Sequence, residues 1–419
     1  MVLVFIYQAL FLAPWMRRTR AVTPGDAVYS RFGRLSEQVL MYTGVPIGMI
    51  WTATMLLGLA KFVAPVFGIP VEFVLLSAGV VIVFYSVSGG SWSVQVTDCL
   101  QAFILMPITI AVAGICLWKI GGFQGLFEQI DLKGLTNDFA LIKPDGYTYT
   151  GGEAGPSKGT INPVFFSASW FALTLVNTFL GAANMTSCYR YLACKDGREA
   201  SRAALLAGTL LLVGSIIFYI PGLVGRLLYS AQVEAVTGIS NIADGAYAVV
   251  AMQVLPAGLL GLVLIAMFSA TMSSMDSFLT GTAGLITNNI YPPLARKFKW
   301  RELSGKSLVR LTQAFTLGLG VWCVALALLL DYFGGGGGVF AIAQTIVIFV
   351  AGPVGTPFLL SFFVRRLPSW GPLVGMGCGW IASFTMIVLE KGFGLALPWT
   401  TQSIIMTLCT VIPTYLTRF

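Results

Sequence analysis

The sequence predicts an all-α protein that crosses a membrane many times. Three observations carry this. Of 419 residues, 57% are hydrophobic and only 10% charged, whereas a soluble domain carries about 25% charged residues. The apolar residues come in runs of about 20, the length that spans the hydrocarbon core as a helix. The basic residues fall between those runs, mostly in alternate gaps. In lipid, only helices and closed barrels satisfy the backbone. The runs lack a period-two alternation, so they are helices.

The elements follow in order. Residues 2–15 are apolar and give way to Arg17, Arg18 and Arg20, with Arg31 and Arg34 beyond. Residues 38–60 form an uncharged span, and 71–88 a further apolar one that ends in a predicted turn at Ser88-Gly89-Gly90. The next span, 93–118, opens onto the longest polar loop, about 120–163. Residues 163–183 precede Arg190, Lys195, Arg198 and Arg202; 203–228 follows. The stretch 248–287 is too long for one straight span, so an interfacial piece is expected before Pro256. Residues 308–331 follow a basic loop from Arg296 to Arg310. The run Gly334–Gly338 reads as a flexible loop, then 338–364, 371–390 and 396–416 complete eleven spans.

If these spans alternate in direction, 18 of the 25 basic residues share one side. By the positive-inside rule that side is cytoplasmic and the membrane is the plasma or inner membrane. The formal charge of +8 is therefore a topology signal and not a nucleic-acid footprint. No obligate protein partner is implied. Seven cysteines lie mainly in or beside apolar segments, with none in the long loop, so no disulfide framework is expected. The chain has no histidine. With no cysteine–carboxylate cluster either, a membrane-embedded enzyme has no nucleophile–base pair or metal centre to work with.

Ionised groups inside lipid are costly and mark function by default. Two carboxylates sit well within apolar spans, Asp98 and Asp276. Near Asp276, Ala270, Ser273, Ser274 and Ser277 recur at i, i+3, i+4, i+7 and share one helix face. Hydroxyls and a backbone carbonyl are hard oxygen donors suited to Na⁺; a small-residue packing stripe has the same pattern. Asp98 sits about one turn inside the helix after the Gly89-Gly90 turn, with Gln101 on its face. There it either binds a cation or complements the helix dipole.

These stretches, with others in the same order, resemble the sodium:solute symporter family, whose members include sodium–glucose, sodium–proline, sodium–iodide and sodium–multivitamin carriers. LAPWMRRTRAVTPGDAVYSRFG is similar to the family's loop between core helices two and three. GGSWSVQVTD, NMTSCYRYLACKDGREA and MSSMDS resemble later family motifs, with Met185 and Tyr189 in place of two glutamines. The resemblance implies a leucine-transporter-type bundle of two inverted five-helix repeats, in one transmembrane domain covering 1–419. It implies Na⁺ as coupling ion, held by the Ala270 carbonyl and the Ser273 and Ser274 hydroxyls. Asp98 matches an acidic residue of core helix five tied to cation coupling, and Asn184 and Gln344 match substrate-site residues on core helices six and ten. The implied activity is sodium-coupled symport of a small organic solute by alternating access. The resemblance also places the opening span late in core helix two, so that core helix one and part of helix two are expected to be missing. On that expectation the alternative is a truncated, non-transporting relative.

Overall fold

The structure is a computed structural model that describes residues 2–21, 23–142, 167–182, 191–239, 241–300, 303–333, 338–364, 366–395 and 397–419. Among them there is no strand. The chain runs through Val2–Tyr7 (α1), a π turn at Gln8–Leu12, Ala13–Thr19 (α2), Pro24–Phe67 (α3) and Val71–Ile120 (α4). Ala168–Ala182 (α5), Gly197–Leu228 (α6), Ala246–Val254 (α7) and Ala257–Leu285 (α8) follow. Beyond the π turn Ile286–Ile290 come Lys306–Phe333 (α9), Gly338–Thr345 (α10), a π turn at Ile346–Ala351, Gly352–Phe363 (α11), Gly371–Phe393 (α12) and Trp399–Leu416 (α13). Eight helices among the described residues are long and apolar enough to cross a membrane.

Local chemistry sets the boundaries. The Thr23 hydroxyl accepts from the Asp26 backbone N–H while the Asp26 carboxylate accepts from Thr23 N–H, a reciprocal capping box that starts α3. Gly33 interrupts α3 at φ 78°, a conformation that strains any residue with a Cβ, so a basic first segment bends away from the apolar span. The expected piece before Pro256 is present as α7, which ends at Val254, with Leu255 in extended backbone ahead of the proline.

The predicted turn at Ser88-Gly89-Gly90 is absent as a break: helical backbone runs through it within α4. Glycine weakens a helix in water, where peptide groups can bond to solvent. In lipid no such alternative exists, and the intrahelical bond is kept. Asp98 consequently stands in the interior of a helix and not one turn after its start, which removes the helix-dipole reading of it.

Helices meet where small residues allow. A Cβ added at Gly79 would lie 2.4 Å from the Val324 side chain, and one at Gly320 would lie 2.4 Å from that of Val83. Reciprocal glycine–valine seats therefore lock α4 to α9, which is how helices gain contact when lipid is as apolar as the side chains. Large apolar groups such as Phe84, Trp118, Leu206 and Phe384 point outward, as expected where the solvent is acyl chain.

Hydrogen bonds gather the basic loops at one end. Arg17 Nε donates to the Lys195 carbonyl at 3.4 Å, and the Arg31 guanidinium donates to the Ser361 carbonyl. Ser36 Oγ donates to the Ser369 carbonyl at 2.7 Å and Gln38 Nε2 to that of Asn289 at 2.9 Å. Gaps in the sequence after the first, fifth, seventh and ninth predicted spans thus converge. At the other end Lys119 Nζ donates to the Gln253 carbonyl at 3.1 Å, and Lys61 meets Asp244.

Candidate cation site

α8 is an apolar helix with two unlike faces. Met275, Asp276, Leu279 and Ala283 are buried against the apolar clusters formed with α3, the first half of α4, and α9. Asp276 is 1% exposed, and the Ser86 hydroxyl of α4 donates to its Oδ1. The other face carries Ala270, Ser273, Ser274 and Ser277, all half-buried.

The hydroxyls differ in how they are used. Thr280 donates to the Asp276 carbonyl at 2.6 Å and Thr287 to the Ala283 carbonyl at 2.7 Å, the ordinary back-bonding of hydroxyls in apolar helices. Ser277 Oγ instead donates to Asp98 Oδ2 at 3.3 Å, across to the second half of α4. Ser273 and Ser274 have no hydrogen-bond partner among the described residues. Their oxygens, half-buried and uncommitted, are free to serve as ligands.

The second half of α4, which meets Ser277, carries two orphaned acceptors. Asp98 Oδ1 and Gln101 Oε1 are both buried and without a hydrogen bond, three residues apart on one helix face. Neither Asp98 nor Asp276 forms an ion pair among the described residues. A buried carboxylate without counter-charge is unfavourable, and a bound cation removes that cost. The donor set is hydroxyls, one carbonyl, one amide oxygen and one carboxylate. No group of three or more His, Cys, Asp or Glu occurs among the described residues, so the chemistry fits a weakly bound alkali ion better than a transition metal.

The structure thus joins Asp98, by the single contact with Ser277, to the helix face that carries Ala270, Ser273 and Ser274. Gln344 lies on α10, half-buried, one residue before the last in that helix and just ahead of the π turn. Asn184 falls outside the described residues, as do Gly334–Gly337 of the glycine run. Ser86 was not visible in the sequence as a partner of Asp276. Its hydroxyl, one of several in that span, was the only hint, and such hydroxyls commonly bond back to their own helix, as Ser86 also does to the Ile82 carbonyl at 2.9 Å.

Comparison with known proteins bears on the family and the fold. The model of the sodium:solute symporter family matches residues 1–379. Solute carrier family 5 member 4B of Mus musculus is 23% identical over 94% of this chain and 61% of its own length. Sodium/glucose cotransporter 2 of Rattus norvegicus is 26% identical over 74% of this chain and 48% of its own. For the sodium/myo-inositol cotransporter of Canis lupus familiaris the figures are 25%, 74% and 44%. The chain thus spans 44% to 61% of the length of these curated relatives. A solved structure described as the substrate-bound outward-open state of a Na⁺-coupled sialic acid symporter superposes with a TM-score of 0.71 at 18% identity. That match covers all of this chain and 83% of that one, and it shows the fold.

Proposed function

This chain belongs to the sodium:solute symporter family, and from that premise we propose that it couples the downhill entry of Na⁺ to uptake of a small organic solute by alternating access. The carrying observation is the pair of half-buried hydroxyls, Ser273 and Ser274, that have no hydrogen-bond partner among the described residues and lie on the α8 face that Asp98 meets at Ser277. In this reading Na⁺ is bound by both hydroxyls and the Ala270 carbonyl. Three neutral oxygens hold an alkali ion weakly, which a carrier needs, since it must release the ion on every cycle. Asp98, on the second half of α4, meets that face one turn along, at Ser277, where it draws the ion onward and holds it during release. Gln101 adds an amide oxygen to that second position.

Na⁺ binding favours the outward-open, solute-competent state, so ion and solute move together. Gln344 and Asn184 contribute polar contacts to the solute. The protein sits in the plasma or inner membrane with its basic end in the cytoplasm. Relatives named for glucose and myo-inositol make neutral sugars and polyols the first compounds to try, followed by amino acids, monocarboxylates and sialic acids.

The test is uptake of radiolabelled solutes into liposomes carrying the purified protein, with and without an inward Na⁺ gradient. Accumulation that requires the gradient supports the proposal. Equal uptake with choline in place of Na⁺ overturns it.

A further inference from the structure

The end of the bundle away from the basic loops holds a cluster that the ion site does not use. Lys61, near the end of α3, is among the largest fully enclosed side chains of the described residues, 1% exposed. It lies just beyond the predicted span 38–60. Its ammonium lies 2.9 Å from Asp244 Oδ2 and 3.9 Å from Asp331 Oδ1. A buried ammonium persists only when so compensated. Asp244 belongs to the 3₁₀ turn Ile242–Gly245, and Asp331 to the last turn of α9.

Asp244 has a second task. Its two oxygens accept the Val339 N–H at 3.3 and 3.2 Å, which satisfies a donor in the first turn of α10. The contact is close: Gly338 has φ 71°, and a Cβ there would lie 2.7 Å from Asn241 Nδ2 and 2.9 Å from Asp244 Oδ1. One lysine thereby joins α3, the 3₁₀ turn, α9 and α10. The eight residues of α10 are fastened at their start by Asp244 and pass at their end into the π turn Ile346–Ala351. A π turn relaxes the regular hydrogen-bond ladder and often marks a functional site.

We propose that the Lys61–Asp244–Asp331 cluster is a conformational latch on α10. While the charges are paired, the first turn of α10 is held against α3. When they part, α10 pivots on the π turn and carries Gln344 with it. The latch does not depend on which ion or solute is carried, so it stands or falls separately from the proposed transport.

Hydrogen–deuterium exchange of the protein in nanodiscs tests it. Lys61→Met keeps the side-chain length and removes the charge. Exchange of the 338–345 amides should rise about tenfold, while 371–393 changes by less than about twofold. Asp331→Asn, at the longer contact, should give a smaller rise in the same segment. No change at 338–345, or an equal rise in every helix, overturns the latch and leaves Lys61 as general packing. If Lys61→Met does not fold, the same comparison is made with Asp331→Asn, where an unchanged 338–345 segment refutes the proposal.

Discussion

The two faces of α8 pose the same problem to the fold and receive opposite answers. On one face Asp276 is buried and met by the Ser86 hydroxyl, with Met275, Leu279 and Ala283 packed around it. On the other, Ser273 and Ser274 are half-buried and unmet, and Asp98 approaches with one oxygen bonded and one orphaned. A polar group that the protein satisfies acts as structure, because its bonding capacity is spent. A polar group left unsatisfied keeps its capacity for a ligand. On the proposed reading, the hydroxyls of this helix that hold the ion are drawn from those without a partner.

The largest effect should come from the unmet face. Ser273→Ala or Ser274→Ala each removes one oxygen from a cation, about 1.5–3 kcal/mol for a charge-assisted contact, or roughly 10–150-fold. The Na⁺ concentration for half-maximal uptake in liposomes should rise accordingly, and the double variant should lose Na⁺ dependence. Unchanged Na⁺ dependence in both single variants would make this face a packing stripe.

Asp98→Asn comes next. It keeps the size and the Ser277 bond but removes the charge, so Na⁺-driven accumulation should fall about tenfold. Gln101→Leu, which deletes a neutral oxygen, should fall less. Normal Na⁺-driven uptake by Asp98→Asn would remove Asp98 from the mechanism.

A smaller effect of another kind is expected on the satisfied face. Ser86→Ala should lower stability by about 1 kcal/mol, read as the thermal midpoint of the purified protein. Its Na⁺ half-saturation should stay within about threefold of the parent. A variant that keeps its melting point but loses Na⁺ affinity would erase the distinction between the faces.

The smallest effect carries the same distinction outside the membrane. Asp196 caps α6, with one carboxylate oxygen accepting the Arg198 and Glu199 N–H groups at 2.8 Å each. The Glu199 N–H, more than any other influence, holds its pKa below the ordinary value of 3.8. A lowered carboxylate pKa means that the cap's contribution is present above the unfolded value and lost as pH falls through the lowered one. Amide exchange at Arg198 and Glu199, corrected for the intrinsic rate, should therefore rise only at strongly acidic pH. Asp196→Asn, which caps without titrating, should abolish that dependence.

Much of this was legible without coordinates because it depends on local periodicity and solvent. The apolar runs, the alternating basic loops and the i, i+3, i+4, i+7 spacing of Ala270, Ser273, Ser274 and Ser277 are properties of neighbouring residues in lipid. The family resemblance then assigned the serine pair a role. The helix through Ser88-Gly89-Gly90 was not legible, since glycine's usual preference was read without the loss of alternative hydrogen-bond partners in a bilayer.

The sequence by itself determined that this is a bundle of membrane helices, which end of it is basic, and which residues of α8 share a face. Only the tertiary structure decided which polar groups are spent. It joined Ser86 to Asp276, Ser277 to Asp98, and Lys61 to Asp244 and Asp331, across 190, 179 and, for Lys61 to Asp244, 183 positions of chain. The reason is physical: a hydroxyl or ammonium finds its partner by distance in space, and no local pattern encodes which distant helix will supply it.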